Sequence, residues 1–255
     1  MSLDPTPQTD MRMHATGYQA RRSEIEAYFD RTAASAWARL TSDAPLGRIR
    51  SSVRAGRDQM RATLLDWLPD DLHGQRVLDA GCGTGALAVA AARRGAQVVA
   101  IDLSPTLVAL AQQRAPADLG TGAVRFLAGD MLDPALGWFD HVVAMDSLIH
   151  YDAPDMARVL AAWAGRCRGT LLFTHAPRTP VLALMHAVGR CFPRSDRSPA
   201  ITPVAAPKLH ALMAAEPTLA SWQPVNSHRV ASGFYTSQAS RWVRCGHAAD
   251  RPVQP

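Results

Sequence analysis

Twelve residues, "VLDAGCGTGALA" (77–88), constrain this chain more than any others in it. A short apolar strand runs directly into Gly81, Gly83 and Gly85, and these open a helix. Glycines at that junction permit a tight turn and let a ligand approach backbone N–H groups at the positive end of a helix. The pattern then repeats. "QVVAID", "AVRFLAG", "FDHVVAMD" and "GTLLFTH" read as strands, while "SPTLVALAQQRA" (Pro105 in its first turn) and "APDMARVLAAWAGRC" (after Pro154) read as helices. Strands alternating with helices predict right-handed crossovers and a mostly parallel α/β sheet covered on both faces.

The flanks differ. Residues 1–22 are polar and contain proline, and are expected to be disordered. Residues 23–72 read as an N-terminal helical arm. Its first helix starts at Ser23, with Glu26 completing a capping box, and its second is "RIRSSVRAGRDQMRATLLDWL". In that second helix Ile49, Val53, Met60 and Leu64 supply an apolar stripe, beside Arg50, Arg54, Arg57 and Arg61. Residues 73–245 form the α/β domain. An insertion at about 176–215 holds a short apolar helix between Pro180 and Pro193 and a second helix, "PKLHALMAAEP". The domain closes on two extended runs around "SG" that predict an antiparallel hairpin, and 246–255 is a tail.

The 255 residues suffice for one sizeable core. Net charge is +5, carried by arginine, with Lys208 the sole lysine. That excess suits an anionic ligand or an anionic membrane surface; no basic block suggests nucleic acid. Cys82, Cys167, Cys191 and Cys245 form no CxxC pair, and no apolar leader or membrane-length run is present, so a reduced, cytoplasmic protein is expected.

Taken alone, Gly81-x-Gly83-x-x-Ala86 fits a dinucleotide fingerprint. Its surroundings argue for S-adenosylmethionine. Asp79 precedes the glycines, where a carboxylate can hold an amino group but would repel a pyrophosphate. Asp102 ends the second strand, where it can accept both ribose hydroxyls. Asp130 and Met131 follow the third, placed for an adenine amino group and ring. Cys82 and Leu103 complete these turns, and Asp146 and Ser147, ending the fourth strand, are candidates for the methionine part. The set "LDAGCGTG", "VVAIDLSP", "FLAGDM" resembles the class I S-adenosylmethionine-dependent methyltransferases. That resemblance implies a Rossmann-like fold with a mostly parallel seven-stranded sheet and helices on both faces.

A wider likeness runs from about Glu24 to Arg244. "AYFDRTAASAWARLTSDAPLGRIRSSVRAGRDQMR", "GDMLDPALGWFDHVVAMDSLIHY", "APRTPVLALMHAVGRCFPRSDRSPAI" and "SGFYTSQ" together resemble the magnesium-protoporphyrin IX O-methyltransferase family of bacteriochlorophyll synthesis. The resemblance implies methylation of one propionate of the magnesium porphyrin, giving the monomethyl ester and S-adenosylhomocysteine. A carboxylate is already ionised at neutral pH, so His150 is expected to orient it rather than remove a proton, with Tyr28 as a second orienting hydroxyl on an arm that closes as a lid. Phe29, Trp37, Tyr151 and Met185 are expected to wall the macrocycle, and Arg178 to bind the substrate as a partner for its other propionate. The arginine stripe reads as a solvated face or as a partner for the other propionate. No protein-bound metal is expected, because no histidine pair has ligand spacing; the magnesium belongs to the substrate. The family likeness also suggests contact with the magnesium chelatase and attachment at the photosynthetic membrane surface. A methyltransferase for another small acid or phenol, and a non-catalytic porphyrin carrier, are the alternatives.

Overall fold

The computed structural model describes residues 18–19, 21–26, 28, 30, 41, 47–178 and 201–246. Strands β1 (Arg76–Ala80), β2 (Gln97–Asp102), β3 (Ala123–Ala128), β4 (Phe139–Ala144), β5 (Cys167–His175), β6 (Trp222–Ser232) and β7 (Tyr235–Arg244) form one sheet in the order β3-β2-β1-β4-β5-β7-β6. The first five are parallel, and β7 runs antiparallel to both neighbours. Chain order reverses between β1 and β4. In open α/β sheets the crevice at the carboxyl ends of such strands is where ligands bind.

Helices α1 (Arg48–Asp66), α2 (Ala86–Arg93), α3 (Pro105–Arg114), α4 (Ala153–Ala164) and α5 (Ala206–Ala215) cover the sheet. On one face Leu78, Ile101, Val142, Leu171 and Phe173 meet Met156, Leu160 and Trp163 of α4 and Leu209 and Met213 of α5. On the other, Val77, Val98, Val143 and Leu172 meet Ala88, Ala91 and Ala92 of α2 and Met60 and Leu64 of α1. Burial on both faces is why these strands read as unbroken apolar runs. Local chemistry sets the ends. Ser104 accepts from the Leu107 amide at 3.2 Å ahead of Pro105, and Asp152 accepts from the Asp155 amide at 2.9 Å ahead of Pro154. The terminal hairpin turns at Gly233 and Phe234, with Gly233 at φ 56°.

Three details differ from expectation. Helical backbone is already present at 18–19 and 21–22, so Ser23 does not begin a helix, and the expected irregular stretch gives way before residue 22. Helix α1 is not a detachable lid: Met60 and Leu64 are fully buried beneath it, each worth about 2 kcal/mol. The end of the insertion is likewise a core helix, since α5 buries Leu209 and Met213.

Candidate active site

At the carboxyl ends of β1, β2 and β4 lies a cavity of about 320 Å³. Its floor is the glycine loop. Gly81 and Gly83 hold φ of 79° and 54°, in the left-handed region that favours glycine. The Gly81 and Cys82 amides donate to the Ile101 carbonyl at 2.8 and 3.0 Å, tying the loop to β2. Among the described residues, and its chain neighbours aside, no atom lies within 4 Å of where a Cβ on Gly83 would stand, so on that side the position is open to a ligand. Gly85 caps α2 without any side-chain acceptor, leaving the helix start for the cavity, where Ala86 and Leu87 line the wall.

Asp79 is buried, lines the cavity, and has one carboxylate oxygen without a hydrogen-bond partner among the described residues. Burial first, and the negative charge of Asp102 second, push its pKa up to about 7. A buried acceptor of this kind calls for a cationic donor. The raised pKa also makes stability pH-dependent. Between the unfolded value near ~4 and about 7 the native state holds more protons, so this contribution is present at low pH and lost as pH rises through about 7. Melting of ligand-free protein is therefore expected to fall from pH 6 to pH 8, and Asp79→Asn to flatten that fall. The difference between the two profiles cancels buried His175, whose own pKa burial lowers to about 4. Identical slopes would rule the assignment out.

Asp102 accepts from the Gly83 amide at 2.8 Å and the Ser104 amide at 3.0 Å, one bond to each oxygen, which leaves a lone pair on both. Leu103, Met131, Cys82 and Ser147 also line the cavity. Burial raises the Cys82 thiol pKa, so it stays a protonated packing group. Ser147 is packed against Gly81, where a Cβ would meet its own Cβ at 2.3 Å.

Two expected acceptors are used differently. Asp130 is not among the described residues lining the cavity; it accepts from the Tyr18 hydroxyl and Arg22 at 3.0 Å each, and from the Leu132 amide at 2.8 Å. Tyr18 and Arg22, just ahead of the arm, thus take up the carboxylate expected to meet adenine. Asp146 lines the cavity, but its carboxylate accepts from Arg57 at 2.5 Å, Tyr235 at 3.1 Å, and Ser237 and Thr174 at 3.2 Å each. Its side chain holds the wall together, and its left-handed backbone (φ 55°) is the one such non-glycine conformation among the described residues.

His150 is buried in a short 3-10 turn after β4 and lines the cavity. Tyr151 lines it too, stacked on Tyr18 with ring centroids 5.5 Å apart; burial and then the Asp130 charge push its pKa up to about 12. Tyr28 is half-buried and is not among the described lining residues, whereas Ile25 of the arm and Tyr18 just ahead of it are. Arg178 is exposed, away from the described lining, its amide donating to the Val204 carbonyl. Phe29, Trp37 and Met185 lie outside the described residues. Sequence reasoning missed Tyr18 and Tyr235 and undervalued Arg54, Arg57 and Arg61, all three in the cavity wall. Among the described residues no group of three or more His, Cys, Asp or Glu side chains is arranged to hold a metal.

A seven-stranded sheet in this order, with a glycine loop bracketed by a buried acid and a half-buried one at its carboxyl edge, defines a class I S-adenosylmethionine-dependent methyltransferase. A general methyltransferase-domain model matches residues 77–168, and the model for the magnesium-protoporphyrin IX methyltransferase C-terminus matches 144–244. The magnesium-protoporphyrin O-methyltransferase of Rhodobacter capsulatus is 51% identical over 222 residues, covering 87% of this chain and 96% of that protein. The Synechocystis magnesium-protoporphyrin O-methyltransferase is 31% identical over 177 residues, 68% of this chain and 76% of its own. The crystal structure of magnesium protoporphyrin IX methyltransferase from Synechocystis with bound S-adenosylhomocysteine superposes with a TM-score of 0.76 at 26% identity, over 88% of this chain and 99% of that one. This chain belongs to the magnesium-protoporphyrin O-methyltransferase family.

Proposed function

We propose that this protein methylates one propionate carboxylate of magnesium protoporphyrin IX, using S-adenosylmethionine and releasing the monomethyl ester and S-adenosylhomocysteine. The observation that carries the reading is one cavity holding both an unsatisfied buried carboxylate, Asp79, and a buried histidine, His150. The residues fit the cofactor. Asp79 offers an acceptor for the ammonium, the space over Gly83 admits backbone approach, Asp102 keeps lone pairs for ribose hydroxyls, and Leu103 and Met131 supply apolar surface for the ring. Bound there, S-adenosylmethionine supplies an electrophilic methyl on a sulfonium.

The chain's own contribution is positioning. The acceptor is ionised at neutral pH and needs no base, so the enzyme must fix a carboxylate oxygen near roughly 3 Å from its target and keep water out. His150 does the first by a hydrogen bond; Tyr151, Tyr18, Ile25 and Met145 do the second by lining the cavity with apolar surface. Tyr28, on the same arm, is the candidate for a second hydroxyl. His150→Ala is expected to lower kcat by about a hundredfold while the Kd for S-adenosylhomocysteine stays within twofold, and His150→Gln to recover part of the loss. Tyr28→Phe and Tyr18→Phe in the same assay show which arm hydroxyl joins it. Wild-type turnover in His150→Ala would remove the histidine from the mechanism.

The same reading has the porphyrin arriving from a magnesium chelatase and the enzyme resting on an anionic membrane surface. Arginine excess supports the latter, as do exposed Ile49, between Arg48 and Arg50 in sequence, and exposed Phe234 in the terminal hairpin. No helix among the described residues is long and apolar enough to cross a membrane.

A further inference from the structure

One run singled out in the sequence, "SGFYTSQ" (232–238), supplies no residue to the described cavity lining. It forms the turn of the terminal hairpin and the first residues of β7. The turn is seated on α1. The Ser232 hydroxyl donates to the Ser52 carbonyl at 3.1 Å, and a Cβ on Gly233 would meet the Ser52 Oγ at 2.3 Å. β7 runs antiparallel to β5 and pairs with it from Gln238 onward. Tyr235, Thr236 and Ser237 therefore overhang the carboxyl edge of the sheet, where the cavity lies. Side chains two apart on a strand share a face, so Tyr235 and Ser237 point the same way, and both are buried.

Both reach Asp146. The Tyr235 hydroxyl donates to its two carboxylate oxygens at 3.1 and 3.2 Å, and Ser237 donates to one of them at 3.2 Å. Burial first, and the Asp146 charge second, push the Tyr235 pKa up, so that hydroxyl stays protonated and remains a donor. Thr174 of β5 holds the same residue twice. Its hydroxyl accepts from the Asp146 amide at 2.8 Å and donates to the carboxylate at 3.2 Å.

This anchoring fixes a backbone conformation. Asp146 sits at φ 55°, a left-handed state that residues with a Cβ adopt sparingly. It bends the chain as soon as β4 ends. Ser147 comes back against Gly81, and Leu148–His150 form a 3-10 turn in which the Tyr151 amide donates to the Leu148 carbonyl at 3.1 Å. His150 ends that turn, buried and on the cavity wall. An extended residue at 146 would continue the line of β4 and carry His150 away.

We propose that Tyr235 and Ser237 are positioning residues: by anchoring the Asp146 carboxylate they hold the left-handed turn that brings His150 to the cavity. The inference rests on the methyl-transfer reading for what His150 does there. Both hydroxyls act through Asp146 and take no part in bond making.

Histidine-ring NMR on the full chain reads the turn without any turnover. The His150 signal is the one lost in His150→Gln. It is expected to move or broaden when Tyr235→Phe and Ser237→Ala are combined, while the signal of exposed His73, in the loop ahead of β1, stays in place. In the methyl-transfer assay the combined variant should lose about tenfold in kcat, with the Kd for S-adenosylhomocysteine within twofold of wild type. Tyr235→Phe added to His150→Ala should cost nothing beyond His150→Ala, because no imidazole is left to place. A purely structural hydroxyl would instead lower kcat by the same factor in both backgrounds, and that result overturns the proposal. So does an unmoved His150 signal in the combined variant. Should that variant fail to fold, Tyr235→Phe alone, which keeps the ring and removes only the hydroxyl, carries both readouts. A wild-type protein that forms no ester would sink the functional reading, and the NMR comparison would still decide whether these hydroxyls place His150.

Discussion

Gly81→Ala is expected to abolish measurable cofactor binding, weakening it by about a hundredfold or more, and to lower the melting temperature as well. The two effects share a cause. Gly81 sits at φ 79°, and a Cβ there would meet the Ser147 Cβ at 2.3 Å. Relief requires moving either β4's end or the loop, and the loop amides are bonded to Ile101. Left-handed backbone adds about 1–2 kcal/mol for any residue with a Cβ. Gly83→Ala is the informative contrast. Its φ is 54° but its Cβ would meet nothing among the described residues, so the ligand-free protein should melt only slightly lower while S-adenosylhomocysteine binding is lost. Calorimetric titration beside thermal melting separates the two. Equal behaviour of the two variants would show that the open space above Gly83 is not ligand space.

Arg57→Ala is expected to cost about 3 kcal/mol of stability, because it leaves the Asp146 carboxylate, with a side chain 7% exposed, without its cationic partner. Tyr235, Ser237 and Thr174 still donate to that carboxylate, but neutral donors do not balance a charge. Adding Asp146→Asn to Arg57→Ala should recover part of the loss, because the orphaned charge is then gone. Denaturant melts of the two single variants and the double variant give the coupling. Strict additivity would mean that the pair is not coupled. The network also accounts for Gly56: a Cβ there would meet the Tyr235 ring at 2.5 Å, displacing the hydroxyl that reaches Asp146.

The sheet was legible because its signals are local. Val77, Leu78, Val98, Val99, Val142 and Val143 sit in short runs buried from both faces, and Ser104-Pro105 and Asp152-Ala153-Pro154 mark helix starts within a few residues. The glycine-loop wall of the cavity was legible for the same reason, since Asp79, Gly81 and Gly83 are fixed by the strand they end and the helix they open. What stayed hidden depends on contacts between distant parts of the chain. Tyr18 and Arg22 meet Asp130 across 112 and 108 residues, and in sequence they belong to a polar stretch with no apolar period. Arg57 meets Asp146 across 89 residues, as Tyr235 does, through the placement of α1 and the register of β7 on β5. A stripe of arginines looks the same in sequence whether water or a cavity faces it. The Ser23–Glu26 pair misled because a capping pattern carries no information about helical backbone upstream of it.

Methyl transfer to a porphyrin carboxylate is directly measurable. The most direct measurement incubates the full chain with S-adenosylmethionine and magnesium protoporphyrin IX and resolves the pigments by chromatography. One new pigment, the monomethyl ester, is expected, with S-adenosylhomocysteine formed in equal amount, and none from the dimethyl ester, which has no free carboxylate. Tight binding of the porphyrin with no ester formed, or ester formed only on an unrelated acid, would contradict it.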